Sequence, residues 1–374
     1  ILEQIVTDRQ GFSPSVELNA PPIELSLDES NIIQPYAEYS IYVEAPGYEP
    51  KDISGIEILS DTASMQPVTL NPPTSSLPSD IVIPAHTLYG DYPSKIPEAE
   101  IKPVNESGEI VLSRVVVPET IVVHDGAPSD STARNYYVSY TDYIKNVASS
   151  EIYATWPEST ITANILAIMS FTLNRVYTEW YRNKGYDFTI TSSTAYDHKW
   201  IYGRNIFDSI SRIVDEIFDQ YLARPGVKQP ILTQYCDGKR VTCPNWMSQW
   251  GSKMLGDQGY SPIEIIRNYY GSSMYVNTAD QISGIPSSWP GYNLTIGSSG
   301  DKVRQMQEQL NRIAEVYTAI PVIAADGIFG NDTRNAVTEF QNIFGLPKTG
   351  IVDFKTWYKI SQIYVGITRM AELN

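Results

Sequence analysis

Glu151 is the side chain of this sequence most suited to acid chemistry. It stands alone in Ser149-Ser150-Glu151-Ile152-Tyr153-Ala154-Thr155-Trp156-Pro157-Glu158, in the turn before a helix with a clearly marked start. Thr155 can cap that helix, Glu158 three residues on completes a capping box, and Pro157 suits the first turn. A carboxyl held rigidly there, with Ile152, Tyr153 and Trp156 as an apolar wall, would keep its proton and could deliver it to a leaving oxygen. The bland alternative is a solvated carboxylate favoured by the positive end of the helix dipole. Glu158 is accounted for by its capping position. Glu179 and Glu216 fall inside regular helical stretches and read as solvated or paired.

A second polar block, Met247-Ser248-Gln249-Trp250-Gly251, is followed by Gln258-Gly259-Tyr260-Ser261-Pro262. The Gln249 amide can hydrogen-bond an N-acetyl group or orient a hydroxyl. Trp250 can stack on a sugar ring, or it can simply be core at a helix start. No P-loop, dinucleotide fingerprint, HExxH or Ser-His-Asp arrangement is present.

These residues must be positioned by the surrounding elements. Ile161, Ile165, Ile168, Met169, Leu173, Val176 and Trp180 recur at three- and four-residue steps, which predicts a long buried helix over 156–182, ended by Gly185. A second helix is expected over 206–222, with Ile210, Ile213, Val214, Ile217 and Tyr221 on one face and Arg224-Pro225-Gly226 terminating it. Ile231-Leu232-Thr233-Gln234-Tyr235 reads as a strand, and 247–258 and 262–270 as helices. Val115-Val116-Val117, Thr120-Ile121-Val122-Val123 and Tyr136-Tyr137-Val138 read as strands, with a short helix at 143–147. Upstream, residues 1–114 read as β structure with proline-rich joints; 71–80 is a linker or exposed loop. Residues 277–292 form a Ser-, Gly- and Pro-bearing linker. Beyond them Val303, Met306, Leu310 and Ile313, then Val337, Phe340, Ile343 and Phe344, then Trp357, Ile360 and Tyr364 mark three helices.

With 374 residues the chain has room for two or three domains, and 42% hydrophobic with 19% charged residues places it among globular proteins. A net charge of −16 disfavours nucleic acid and anionic membranes, since phosphate binding needs clustered cations. An uncharged or mixed-charge polysaccharide remains compatible. No apolar run is long enough for a membrane helix, so no membrane insertion is expected. The first residue is Ile and no signal-like segment follows it; the expectation is either a leader already removed or a trimmed chain.

The Glu151 block and the Ser248-Gln249-Trp250-Gly251 block, in this order, resemble the stage II sporulation protein D family of peptidoglycan-cleaving enzymes over about residues 118–272. Asp326-Gly327-Ile328-Phe329-Gly330-Asn331-Asp332-Thr333 and Gly345-Leu346-Pro347-Lys348-Thr349-Gly350 resemble the type 1 peptidoglycan-binding domain over about 293–364. Residues 39–70 weakly resemble the small β-sandwich found beside carboxypeptidases. The order of these units, with Thr141-Asp142-Tyr143-Ile144-Lys145-Asn146-Val147 leading into Glu151, is similar to the clostridial spore cortex-lytic enzymes. The resemblance implies an α+β multidomain protein: an N-terminal β-rich pro-region (1–114), a mixed α/β catalytic domain (115–276), a linker (277–292) and a three-helix peptidoglycan-binding domain (293–374).

It also implies a lytic transglycosylase with Glu151 as catalytic acid and Ser248, Gln249 and Trp250 lining the groove. Tyr202 and His198 lie near a groove-lining region of the family, although their spacing departs from its pattern. The implied setting is the spore cortex, an extracytoplasmic wall compartment whose peptidoglycan carries muramic-δ-lactam. A subtilisin-like germination protease would remove the pro-region near Arg114 and Val115, after which segments such as 96–105 would leave the groove. No cofactor is implied. Some relatives hold zinc with Cys and His near Cys236 and Cys243. Here a disulfide, a metal site and free thiols all remain open, and no His lies within the loop between the two cysteines. An amidase or bifunctional activity, a non-catalytic wall-binding role and a vegetative autolysin are the alternatives.

Overall fold

The computed structural model describes residues 2–8, 11–73, 80–102, 112, 114–118, 120–279, 281–282, 290 and 292–368. At its centre lies the helix Glu158–Tyr177, buried almost all round. A helix without a polar face belongs inside a domain. It packs on the strand Gln220–Ala223 and on the helices Tyr140–Glu151, Gln249–Asp257 and Pro262–Tyr270. Some of its polar groups bond to the segment that runs alongside it. Ser170 Oγ donates to Ile231 O at 2.8 Å and Asn174 Nδ2 to Pro230 O at 2.7 Å, while Ala167 O accepts from Thr233 Oγ1 at 2.7 Å. The stretch 230–233 is thereby fastened along the helix.

Beside this helix, Thr120–His124 is the middle strand of a small sheet, antiparallel to Asn135–Ser139 and parallel to Ile190–Thr191. The helix Tyr140–Glu151 follows directly, capped by Ser139 Oγ, which accepts from Asp142 N at 3.1 Å.

The long helix starts at Glu158, later than its pattern suggests, and the expected capping box is absent. Thr155 Oγ1 lies 2.8 Å from Ser26 Oγ instead, and Glu158 pairs with Arg212 at 2.7 Å. Tertiary partners take both side chains, which leaves Pro157 at the cap position. The expected helix 206–222 is also divided. Asp208–Ile217 is helical, but Gln220–Ala223 pairs antiparallel with Tyr275–Thr278. Leu222 N donates to Ser170 Oγ at 3.2 Å, so pairing under the long helix overrides the helical period.

In the N-terminal region the described residues form one three-stranded sheet where a sandwich was expected. Lys51–Ile58 lies between Ala37–Val43 (antiparallel) and Asp80–Val82 (parallel). Ile53, Ile56, Ile81 and Ile83 bury their side chains against Ile201 of the central unit. The central unit thus covers the face that a second sheet would have covered. Ser64–Met65 even pairs with Ile206–Phe207. The expected linker also begins too early. Tyr275–Thr278 is a strand, and Gln281–Ile282 pairs parallel with Val116–Val117, so the central unit extends through Ile282. The rest of that linker lies largely outside the described residues, as do 74–79 of the expected 71–80 joint.

The C-terminal helices are Asp301–Ala314, Asn331–Ile343 and Phe354–Thr368. Two buried glutamines hold its two glycine turns in the same way. Gln307 accepts from Gly327 N at 2.8 Å and donates to Ile328 O at 3.0 Å. Gln341 accepts from Gly350 N at 2.9 Å and donates to Ile351 O at 2.9 Å. Both glycines have positive φ, 76° and 67°, which a side chain would strain.

Candidate active site

Glu151 is the last residue of the helix Tyr140–Glu151, where the sequence suggested a turn before a helix. The dipole at this end is negative and opposes an ionised carboxylate. The side chain is completely buried. Its Oε1 accepts from Lys199 N at 2.6 Å, and its Oε2 accepts from the Tyr235 hydroxyl. The main-chain carbonyl accepts from Gln249 Nε2 at 3.2 Å. Burial raises the carboxyl above the usual carboxylate range; the nearby Lys95 ammonium, the Lys199 N–H and Tyr235 oppose the rise without reversing it.

Tyr235 reaches this position through a short parallel pairing. Tyr235–Cys236 lies alongside Met247–Ser248, which brings Tyr235 and Gln249 to the same helix end. Cys236 and Cys243 are joined by a disulfide with Cα atoms 5.6 Å apart. Inside that loop Asp237 accepts main-chain N–H bonds from Lys239, Arg240 and Val241 at 3.2, 3.0 and 3.0 Å. The loop is therefore shaped by its own backbone.

Of the block at 248–250, Gln249 touches Glu151. Ser248 caps the helix Gln249–Asp257, its hydroxyl accepting from Gly251 N at 2.9 Å. Trp250 is core, 5.0 Å from the Trp156 ring and 6.2 Å from Tyr153. Tyr153 and Trp156 pack in that aromatic group, on which His86 also stacks at 4.5 Å.

His198 is buried beneath Tyr235, the two rings nearly parallel with centroids 5.8 Å apart. Its Nδ1 lies 3.0 Å from the Tyr143 hydroxyl. Burial, reinforced by Lys95 and Arg175, holds the imidazole well below its ordinary pKa and hence neutral. Tyr202 is set apart: it stacks on Tyr136 at 4.7 Å and borders the isoleucine cluster of the N-terminal sheet. Reading the sequence did not single out Tyr235, Lys95 or the Lys199 N–H. Tyr235 ends a strand-like run and carries no mark of its own.

The N-terminal region covers the surroundings of Glu151. Tyr92 and Lys95 are buried, and Lys95 Nζ donates to Asp197 O at 2.6 Å while standing 4.5 Å over the Tyr235 ring. The following residues run extended along 229–234. Gln234 donates to Ile96 O at 2.8 Å and accepts from Glu98 N at 2.9 Å. Leu232 N donates to Glu100 O at 3.0 Å. Gln229 then accepts from Lys102 N at 3.0 Å and donates to Lys102 O at 2.9 Å. The Glu98 carboxylate spans Arg175 at 2.6 and 3.0 Å. A second stretch covers the aromatic group, with Ser26 O accepting from Trp156 Nε1 at 2.9 Å and Leu27 O from Lys253 Nζ at 2.7 Å. Arg114 is exposed and Val115 buried; 107–111 and 113 of the joint expected to be cut, 107–118, lie outside the described residues.

Residues 299–360 match the family model described as "Putative peptidoglycan binding domain". The chain is also 41% identical over 76 residues to a zinc D-Ala-D-Ala carboxypeptidase of Streptomyces albus G, across 20% of this chain and 28% of that relative's length. A solved chain titled "The crystal structure of SleB N-terminal domain" aligns at 30% identity and a TM-score of 0.17, covering 20% of this chain and 93% of that one. The matched domain supports peptidoglycan as a partner and a cell-wall association. Among the described residues, no helix is long and apolar enough to cross a membrane, and no three His, Cys, Asp or Glu side chains gather as a metal site.

Proposed function

We propose that this chain is a peptidoglycan lytic transglycosylase in which Glu151 is the only acid–base group and the C-terminal domain anchors the enzyme to the wall. The observation that carries this reading is a fully buried carboxyl, raised in pKa, whose two side-chain hydrogen bonds come from one main-chain N–H and one phenol. In this reading the group holds its proton when substrate arrives and protonates the glycosidic oxygen as the C–O bond breaks. The resulting carboxylate then takes the proton from the muramic acid six-hydroxyl as that oxygen closes on the anomeric carbon. A 1,6-anhydro end is the product. Ordinary glycosidases need a second carboxylate to act as base or nucleophile; here the substrate supplies its own nucleophile.

In this reading the roof over Glu151 keeps the enzyme inactive. The segment 92–102 lies where a glycan would have to enter. Proteolysis in the joint that includes Arg114 and Val115, by a subtilisin-like germination protease, would free the groove for cortex peptidoglycan bearing muramic-δ-lactam. The support for cortex and germination is the resemblance to clostridial cortex-lytic enzymes; the support for inhibition is the covered Glu151.

The test is mass spectrometry of products from purified sacculi, before and after limited proteolysis, with the new N-terminus sequenced. Anhydro-muramic ends from the cleaved form support the proposal. Reducing ends would make it a hydrolase, freed peptides on intact glycan an amidase, and no products at all a wall-binding protein. Equal activity before and after proteolysis would remove the inhibitory role of residues 1–114.

A further inference from the structure

We infer that Tyr235 is a positioning residue that assigns the transferable proton to one oxygen of Glu151, Oε2. The inference rests on the reading of Glu151 as the acid–base group. The two carboxyl oxygens have unlike partners. Oε1 faces the Lys199 main-chain N–H at 2.6 Å, a group that can only donate. A proton on Oε1 would confront that N–H with another donor. Oε2 faces a phenol, which donates to a carboxylate and, by rotating its hydroxyl, accepts from a carboxylic acid. Only Oε2 therefore has a partner suited to both protonation states.

A single carboxyl that acts first as acid and then as base needs such a partner. In the first step the proton leaves Oε2 for the glycosidic oxygen as the bond to the anomeric carbon breaks. In the second, the six-hydroxyl gives its proton to the same Oε2 as its oxygen bonds to that carbon. Between the steps the carboxylate sits buried at the negative end of a helix, where hydrogen-bond donors must hold it. Tyr235 O–H is one of the two side-chain hydrogen bonds it has.

Tyr235 is itself held for this task. Its backbone pairs with Met247, and its ring lies on His198. Tyr143 bonds the histidine beneath it, and in the intact chain Lys95 also stands over the ring. The titratable groups that interact with Glu151 are Lys95 from the N-terminal region, Lys199, Tyr92, Tyr143 and Tyr235. Of these, Tyr235 makes the side-chain hydrogen bond to the carboxyl.

Two measurements, the first on the intact 374-residue chain, test the assignment. Carbon-13 NMR titration of the Glu151 carboxyl should show an upward shift of about one unit in Tyr235→Phe, because a donor to the carboxylate is lost. Site-specific 3-fluorotyrosine at 235, a stronger donor, should move it down. An unchanged titration in both variants, with unfolding temperatures like the wild type, overturns the inference even if the chain shows no lytic activity. With sacculi and proteolysed enzyme, Tyr235→Phe should shift the alkaline limb of the pH profile upward. Its products should also contain more reducing ends relative to anhydro ends, since a displaced base lets water compete. A uniform loss of rate with unchanged pH profile and product ratio would mean that Tyr235 is merely structural. If Glu151→Gln leaves lytic activity intact, the reading of Glu151 fails instead, and the NMR result still decides whether Tyr235 controls that carboxyl.

Discussion

Asp197 and Glu151 are both completely buried carboxylates, and Lys95 feels the charge of each. Their surroundings differ. Asp197 accepts from Arg175 Nε at 2.8 Å, the Tyr181 hydroxyl at 2.6 Å, Thr191 N at 2.9 Å and Thr191 Oγ1 at 2.7 Å. Arg175 in turn bridges to Glu98. These four bonds hold that carboxyl in place and tie three segments together. Glu151 has one main-chain donor and one phenol. A buried acid ringed by donors and a guanidinium serves as structure; one with few partners remains able to give up a proton and take it back.

The largest effect that can break this comparison is on activity. Glu151→Gln keeps the shape and both hydrogen bonds in altered form but removes the proton donor. Anhydro product should fall by roughly 10²–10⁴-fold, while the unfolding temperature stays the same or rises. A fall in stability without loss of product would place Glu151 with Asp197 as a structural acid.

Asp197→Asn should do the reverse. It leaves Arg175 buried with its charge half compensated, a kind of defect that costs about 3–5 kcal/mol. Chemical denaturation should show that loss with a matching drop in midpoint. If the variant unfolds like the wild type, the Arg175 network does not bind the roof to the central unit. Lys95→Met acts on the boundary between the two acids. Without the ammonium, the segment 92–102 loses its bond to Asp197 O and its charge near Glu151. Loss of about 1.4 kcal/mol of closed-state preference would raise the basal activity of the intact chain about tenfold. A variant less active than wild type would instead assign Lys95 to catalysis.

Much of the scaffold is legible in the residues because it rests on local periodicity. The long helix 158–177, the three C-terminal helices and their glycine turns follow from apolar spacing and turn chemistry. What escapes is whatever depends on distant partners. Thr155 and Glu158 have the capping-box spacing, yet Ser26 and Arg212 claim them. Residues 220–223 carry a helical pattern but pair with 275–278. At the site, Gln249 could be tied to Glu151 only through resemblance. Tyr235 could not be found at all, since only the pairing of 235–236 with 247–248 brings its phenol to the helix end. Lys95 is equally hidden, in a proline-flanked stretch that reads as a joint until it is seen lying along 229–234.

Glu57, another buried acid, lies between Asp197 and Glu151 in character. It belongs to the N-terminal strand Lys51–Ile58 and pairs with Arg204 of the central unit at 2.8 Å, while Asn205 Nδ2 donates to its main-chain carbonyl at 2.8 Å. Burial pushes its carboxyl up to about 7, with Arg204 pulling the other way. The folded chain therefore binds this proton more tightly than the unfolded chain, whose Glu titrates near 4.5. By linkage, its contribution to stability is fully present below about 4.5 and is lost as pH rises through about 7. Docking of the N-terminal sheet should be firmest in mild acid and weaken towards pH 8. The effect is the smallest of the set, because Arg204 compensates part of the charge. Hydrogen exchange of residues 37–58 between pH 4.5 and 8, corrected for the intrinsic rate, should show protection declining with pH in the wild type. In Glu57→Gln the slope should flatten. Equal slopes in the two proteins would mean that Glu57 stays ionised throughout, held as an anion by Arg204.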